Sequence, residues 1–221
     1  FFHVPMALNP SMSRVLFIGL GGGTGPKAFW RDYPWVQVEV AEIDPQVERV
    51  AREFFALPND PRLKVTIQDG RVYLERSRQE YGAILMDAYA SGPYGAYLPY
   101  HLVTQEFFAI AKQRLANGGC LVYNVIGSYG GDHDDQVRGI YSTLSRTFRV
   151  VYAFSAWSSG NTVFVAQHIE SAGRDADGTG EVRDWPNGPW LRHPLDGAAW
   201  ADLARRVVEL GAIKFEGLTA R

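Results

Sequence analysis

Four stretches of this chain hold the residue types that could bind a nucleotide-like ligand and act beside it. They are Gly19-Leu20-Gly21-Gly22-Gly23-Thr24-Gly25, Glu42-Ile43-Asp44, Asp69-Gly70 and Asp87-Ala88-Tyr89. The glycine run directly follows an apolar stretch at 15–18. It is so poor in side chains that a ligand can approach its backbone and the amides of the next helix start. Taken alone it fits a dinucleotide, a sulfonium nucleoside or a bare turn. Glu42 stands about 20 residues beyond that run, the spacing at which an acidic side chain accepts both hydroxyls of a ribose. Asp44 precedes Pro45 and reads better as the cap of the helix that follows. Asp69 could accept an adenine amino group and could also cap a short helix over 71–78; the two roles are compatible.

These stretches can cooperate only if the fold brings them to one edge, and the hydrophobic pattern supplies such an edge. Short β-rich apolar runs at 15–18, 36–41, 63–67, 83–86 and 120–125 alternate with segments of helical period. That is the pattern of a parallel sheet covered on both faces. Val47, Val50, Ala51 and Phe54 make the buried stripe of a helix after Pro45. Phe107, Phe108, Ala111 and Leu115 make that of a helix capped by Thr104 and stopped by Asn117-Gly118-Gly119. Val137, Ile140, Tyr141, Leu144 and Phe148 line a third, with Asp132, Asp134 and Asp135 in its first turn, where the helix dipole favours negative charge. Runs at 150–154 and 162–167 flank the turn-forming Ser158-Ser159-Gly160-Asn161 and read as a closing antiparallel hairpin. The fold class is α/β: a Rossmann-like doubly wound sheet of about seven strands, mostly parallel with a C-terminal antiparallel hairpin strand. In such a sheet Gly19, Glu42, Asp69 and Asp87 end four successive strands along one rim.

Composition narrows the partners. The net charge is −2 and no long basic cluster exists to neutralise a nucleic-acid backbone, so a nucleic-acid partner is not expected. No window approaches the roughly 20 apolar residues of a membrane span, and the opening residues lack a signal pattern; a cytoplasmic protein without direct membrane insertion is expected. Cys120, the single cysteine, lies in an apolar run and can form neither an internal disulfide nor a zinc site alone. Neighbouring residues such as Asp132-His133-Asp134-Asp135 do not converge on one ion, and no metal is expected. The glycine-containing segment 90–97 follows Asp87 directly, where a lid would sit, and Tyr89, Tyr94, Tyr97 and Tyr100 could wall the site. His101 is either a base near neutral pH or a structural residue at a helix entrance.

Asn9-Pro10, Arg14-Val15-Leu16-Phe17-Ile18-Gly19 with its glycines, Glu42-Ile43-Asp44, Asp69-Gly70 and Asp87 together resemble the polyamine aminopropyltransferases, the spermidine synthase group of the class I S-adenosylmethionine-dependent methyltransferase fold. The resemblance runs from His3 to Gln167. It implies S-adenosylmethionine or its decarboxylated form as co-substrate, bound through Gly19, Gly21, Gly23, Glu42, Ile43, Asp69, Gly70 and Asp87. By the same resemblance Glu42 holds the ribose, Asp69 with Gly70 the adenine, and Asp87 helps to deprotonate an attacking amine, with Tyr89 as the second catalytic candidate. The implied activity is transfer of an alkyl (aminopropyl) group to a small amine acceptor. Residues 1–168 would be the binding and catalytic domain, 169–197 a long loop and 198–221 a helix packed on the same domain through Trp200, Leu203, Ala204 and Val207. A homodimer stays open.

Some positions depart from that family. Gly22 stands where an aspartate usually helps to hold the donor's aminopropyl amine, Ala90 where a second aspartate follows the first, and Trp157 where a tyrosine is usual. Of the family's small N-terminal β-domain only the joining segment around His3 is seen, and the start without methionine is compatible with a piece of a longer chain. A methyltransferase and a non-catalytic nucleoside-binding domain therefore remain alternatives.

Overall fold

A computed structural model of the chain describes residues 2–93, 95–127, 133–156 and 160–170. Tyr94, Asp132, Trp157, Ser158, Ser159 and everything expected from residue 171 onward, including the C-terminal helix, lie outside the described residues. The first half runs α1 (Val4–Leu8), β1 (Arg14–Ile18), α2 (Thr24–Asp32), β2 (Gln37–Glu42), α3 (Pro45–Phe54), β3 (Leu63–Ile67), α4 (Gly70–Arg76) and β4 (Tyr81–Met86). Then come β5 (Ala90–Gly92), β6 (Gly95–Tyr97), a 3₁₀ turn (Tyr100–Leu102), α5 (Gln105–Gln113), β7 (Leu115–Ile126), α6 (Asp134–Thr147), β8 (Val150–Ala156) and β9 (Asn161–Gln167).

Seven strands make one sheet in the order β3-β2-β1-β4-β7-β9-β8, in which β9 alone runs antiparallel to its neighbours. β1 pairs in parallel with β2 on one side and β4 on the other. Strand order therefore reverses at β1, the switch point at which open α/β sheets bind ligands beyond their carboxyl ends. The alternation of side chains along a strand builds both core layers. Leu16 and Ile18 face the layer of Phe107, Phe108 and Leu144, while Val15 and Phe17 face that of Phe29, Val40 and Val122. Cys120 is in the second layer, where burial pushes its thiol up to about 12, so it is an inert core residue.

A short helix, α1, precedes the first strand, and His3 fastens it through Nδ1 to the Tyr33 hydroxyl at 2.7 Å. Two local expectations are corrected. On α3 only Ala51 is buried, while Val50 is 37% and Phe54 74% exposed. The chain turns back after α3, the Leu57 amide bonding the Ala51 carbonyl, and Leu57 takes the buried place against Gly23. Leu115 begins β7 instead of ending α5, because the helix closes at Arg114 and the glycines after it serve the sheet. A side chain on Gly119 would come within 3.0 Å of the Tyr81 and Gly82 carbonyls, where β4 and β7 change register.

The end of the sheet away from the switch point is held by Glu39 of β2. Its carboxylate accepts from the Tyr73 hydroxyl at 2.8 Å, the Tyr81 hydroxyl at 2.7 Å and the Arg14 guanidinium. Burial pushes this carboxyl up, but the three donors outweigh burial and hold it below its ordinary value. A carboxyl lowered in the folded state stabilises above its unfolded pKa and stops doing so as pH falls through its folded pKa. Glu39→Gln should lower the unfolding free energy by about 2 kcal/mol at neutral pH, with the gap to wild type closing in acid. Urea denaturation across that range checks this.

Among the described residues no helix is long and apolar enough to cross a membrane, and no group of three or more His, Cys, Asp or Glu could hold a metal ion.

Candidate functional site

The carboxyl ends of β1, β2, β3 and β4 carry Gly19, Glu42, Asp69 and Asp87 on one rim of the sheet. The Gly19 amide bonds the Ala41 carbonyl at 2.9 Å and the Asp87 amide the Ile18 carbonyl at 3.1 Å, which stitches the glycine loop to β2 and to the end of β4. Gly19 has φ +94°, and a Cβ there would lie 2.6 Å from the Asp87 carbonyl oxygen, so only glycine fits. Gly21 has φ +52° with open space where a side chain would be, leaving its backbone accessible. Gly23 caps α2 with φ +73°. Beside the loop lies a cleft lined by Phe2, Phe17, Thr24, Pro26 and Asp87.

Glu42 is 7% exposed and organises this loop. One carboxylate oxygen accepts from the Leu20 amide and the other from the Asp44 amide, both at 2.9 Å. Each oxygen keeps a further lone pair for a hydroxyl. Ile43, next to it, is 67% exposed and offers an apolar face on the rim. Asp44 caps α3 by accepting from the Gln46 amide at 2.8 Å.

Asp69 caps α4, one oxygen accepting from the Arg71 and Val72 amides at 3.0 Å each, while its other oxygen accepts from His101 Nε2 at 2.8 Å. Burial raises this carboxyl, but the Val72 amide, His101 and the Arg71 amide together hold it below its ordinary value. Gly70 brings the start of α4 onto β1, since a Cβ there would sit 2.3 Å from Ile18 Cγ2.

Asp87 accepts from Asn124 Nδ2 at 2.9 Å, and Asn124 Oδ1 accepts in turn from Asn161 Nδ2 at 2.9 Å. Sequence reasoning missed both asparagines. Asn124 sits in no local motif and Asn161 reads only as part of a turn; the pairing of β7 with β9, which sets Val163 opposite Asn124 and Asn161 opposite Ile126, makes them neighbours. The Tyr89 hydroxyl donates to the Asn124 carbonyl at 2.7 Å and accepts from the Ile126 amide at 2.9 Å. Burial, the largest influence, pushes its pKa up to about 12. Tyr89 is thus a neutral phenol committed to β7. The segment after it folds as the β5–β6 hairpin, followed by the turn that carries Tyr100 and His101.

The strand order, the glycine loop at the switch point and the acidic residues on the neighbouring strand ends define a Rossmann-like protein of the methyltransferase-fold class. Within that class, the chain belongs to the spermine/spermidine synthase domain family, which it matches over residues 1–154. It is 35% identical over 150 residues to a polyamine aminopropyltransferase of Vibrio vulnificus (strain CMCP6), a match covering 66% of this chain and 46% of that protein. Its fold is similar to that of human methyltransferase-like protein 13 in complex with SAH, with TM-score 0.71 and 21% identity, covering 93% of this chain and 84% of that one. It is also similar to a spermidine synthase in complex with the transition state analogue AdoDATO, with TM-score 0.60 and 23% identity, covering 75% of this chain and 56% of that one. The chain spans about half the length of curated relatives that it matches.

Proposed function

We propose that residues 1–168 form the catalytic domain of a spermidine synthase-like transferase, which binds S-adenosylmethionine or its decarboxylated form and passes an alkyl group, aminopropyl in the leading case, to a small amine. The observation that carries this reading is the position of Asp87: oriented by Asn124, it lines the cleft beside a glycine loop whose shape Glu42 maintains. The residues suit a nucleoside donor. Gly21 leaves room at the loop backbone, Glu42 retains lone pairs for ribose hydroxyls, Ile43 offers an apolar face, and Asp69 with Gly70 stands at the end of the next strand for the base.

A sulfonium donor supplies an electrophilic carbon: the amine nitrogen forms the new C–N bond while the C–S bond breaks and its electron pair stays on sulfur. The protein's task is orientation, exclusion of water and handling of the amine's proton. An alkylamine with a pKa near the lysine value of about 10.4 is mostly protonated at neutral pH, so a carboxylate at its nitrogen both orients the cation and receives the proton released. Asp87 fills that role, and Tyr89 supports it by fixing the segment after Asp87 to β7. The 90–97 hairpin is the lid. Asn124→Leu removes the donor to Asp87 but not the backbone carbonyl that Tyr89 uses; turnover should fall about tenfold with donor affinity unchanged, as single-turnover kinetics with calorimetry would reveal.

One observation favours methyl transfer as a second reading. The loop carries Gly22, whose Cβ would lie 3.2 Å from the Phe55 ring, and Ala90 opens the hairpin, so neither position supplies a carboxylate for a donor amine. Incubation with each donor and a panel of diamines, followed by mass spectrometry, separates the readings. Aminopropylated product with methylthioadenosine supports the first; methylated product with S-adenosylhomocysteine supports the second. A cytoplasmic location and a small-molecule acceptor belong to the same proposal, and the net charge of −2 favours that acceptor over a nucleic acid.

A further inference from the structure

Asp69 divides its two oxygens between separate parts of the fold. Oδ1 serves the first turn of α4, and Oδ2 is held by His101 from the turn Tyr100–Leu102. That turn follows the β5–β6 hairpin after Leu98 and Pro99, and it is seated in the core by Leu98 and Leu102. Arg71 Nη1 donates to the His101 carbonyl at 3.4 Å, a second link between the start of α4 and the same turn. The His101 side chain remains 47% exposed, so its burial contributes little and its specific contact is the one with Asp69. A carboxylate capping a helix through one oxygen can still swing its other oxygen, and a second partner on that oxygen removes the freedom before any ligand arrives.

We propose that His101 is a positioning residue of the donor site: it directs Asp69 Oδ2 toward the exocyclic amino group of a bound purine and couples occupancy of that site to the 90–97 hairpin. This rests on the reading of Asp69 as the purine contact. The hydrogen bond to Asp69 belongs to the turn, and Tyr97 at the end of the hairpin packs against Tyr100 of that turn with ring centroids 6.2 Å apart, so ordering one favours ordering the other.

The test titrates methylthioadenosine into the full chain as wild type, His101→Ala, His101→Gln and Asp69→Asn, and follows hydrogen exchange of residues 90–97 with and without the nucleoside. Glutamine can place an N–H where imidazole Nε2 donates. The expected result is about tenfold weaker binding for H101A, near-wild-type binding for H101Q, and nucleoside-induced protection of 90–97 in wild type and H101Q but not in H101A. If H101A binds as wild type does with the same protection, or if H101Q is as weak as H101A, the proposal falls while the reading of Asp69 stands. If Asp69→Asn binds as wild type does, or wild type does not bind, the purine reading falls and the proposal with it.

Discussion

Asp87→Asn is expected to lower turnover by about a hundredfold to a thousandfold while leaving donor affinity within about threefold of wild type. The separation follows from what each atom of Asp87 does. Its amide bonds Ile18, and its carbonyl packs against Gly19, so the main chain at this position shapes the glycine loop whatever side chain is present. Only the carboxylate is lost, and with it the acceptor for the amine's proton. Asn124 is then left beside an amide in place of an anion. Calorimetry with the nucleoside and single-turnover rates on the same preparation read the two quantities separately. A variant that loses binding and turnover to the same degree would place Asp87 in donor binding.

Glu42→Ala should do the reverse. Donor affinity is expected to drop about a hundredfold, and stability by about 2–4 kcal/mol, because two backbone amides lose their acceptor along with the proposed ribose contact. The stability change has a source apart from the ligand, since Glu42 is what ties Leu20 of the loop to Asp44 at the head of α3. Thermal denaturation with and without methylthioadenosine distinguishes the parts. A lower melting point with unchanged nucleoside-induced stabilisation would leave Glu42 as a loop organiser and remove it from the ribose.

The sheet and the rim were legible because they depend on local signals. Apolar runs of strand length gave five parallel strands in their order along the chain, and a glycine loop after the first of them located the switch point. Asp44 was legible as a cap from Pro45 alone. What escaped depends on contacts across the fold. Asn124 and Asn161 meet Asp87 only through strand register, and Glu39 meets two tyrosines and Arg14 from different segments. The α3 stripe misled for a related reason: its period is helical, but Leu57 beyond the helix occupies the place expected for Phe54. Tyr89 reads from sequence as a wall of the site and a catalytic candidate beside Asp87, and its commitment to the β7 backbone follows from the path of a strand that starts more than twenty residues later.

The measurement that tests the central claim most directly is calorimetric titration of the purified chain with S-adenosylmethionine, decarboxylated S-adenosylmethionine, methylthioadenosine and NAD. The account predicts binding of the sulfonium nucleosides and of methylthioadenosine, weakened about a hundredfold by Glu42→Ala and retained by Asp87→Asn, with the tighter donor identifying the group transferred. Tight binding of NAD with none of the sulfonium compounds would contradict it.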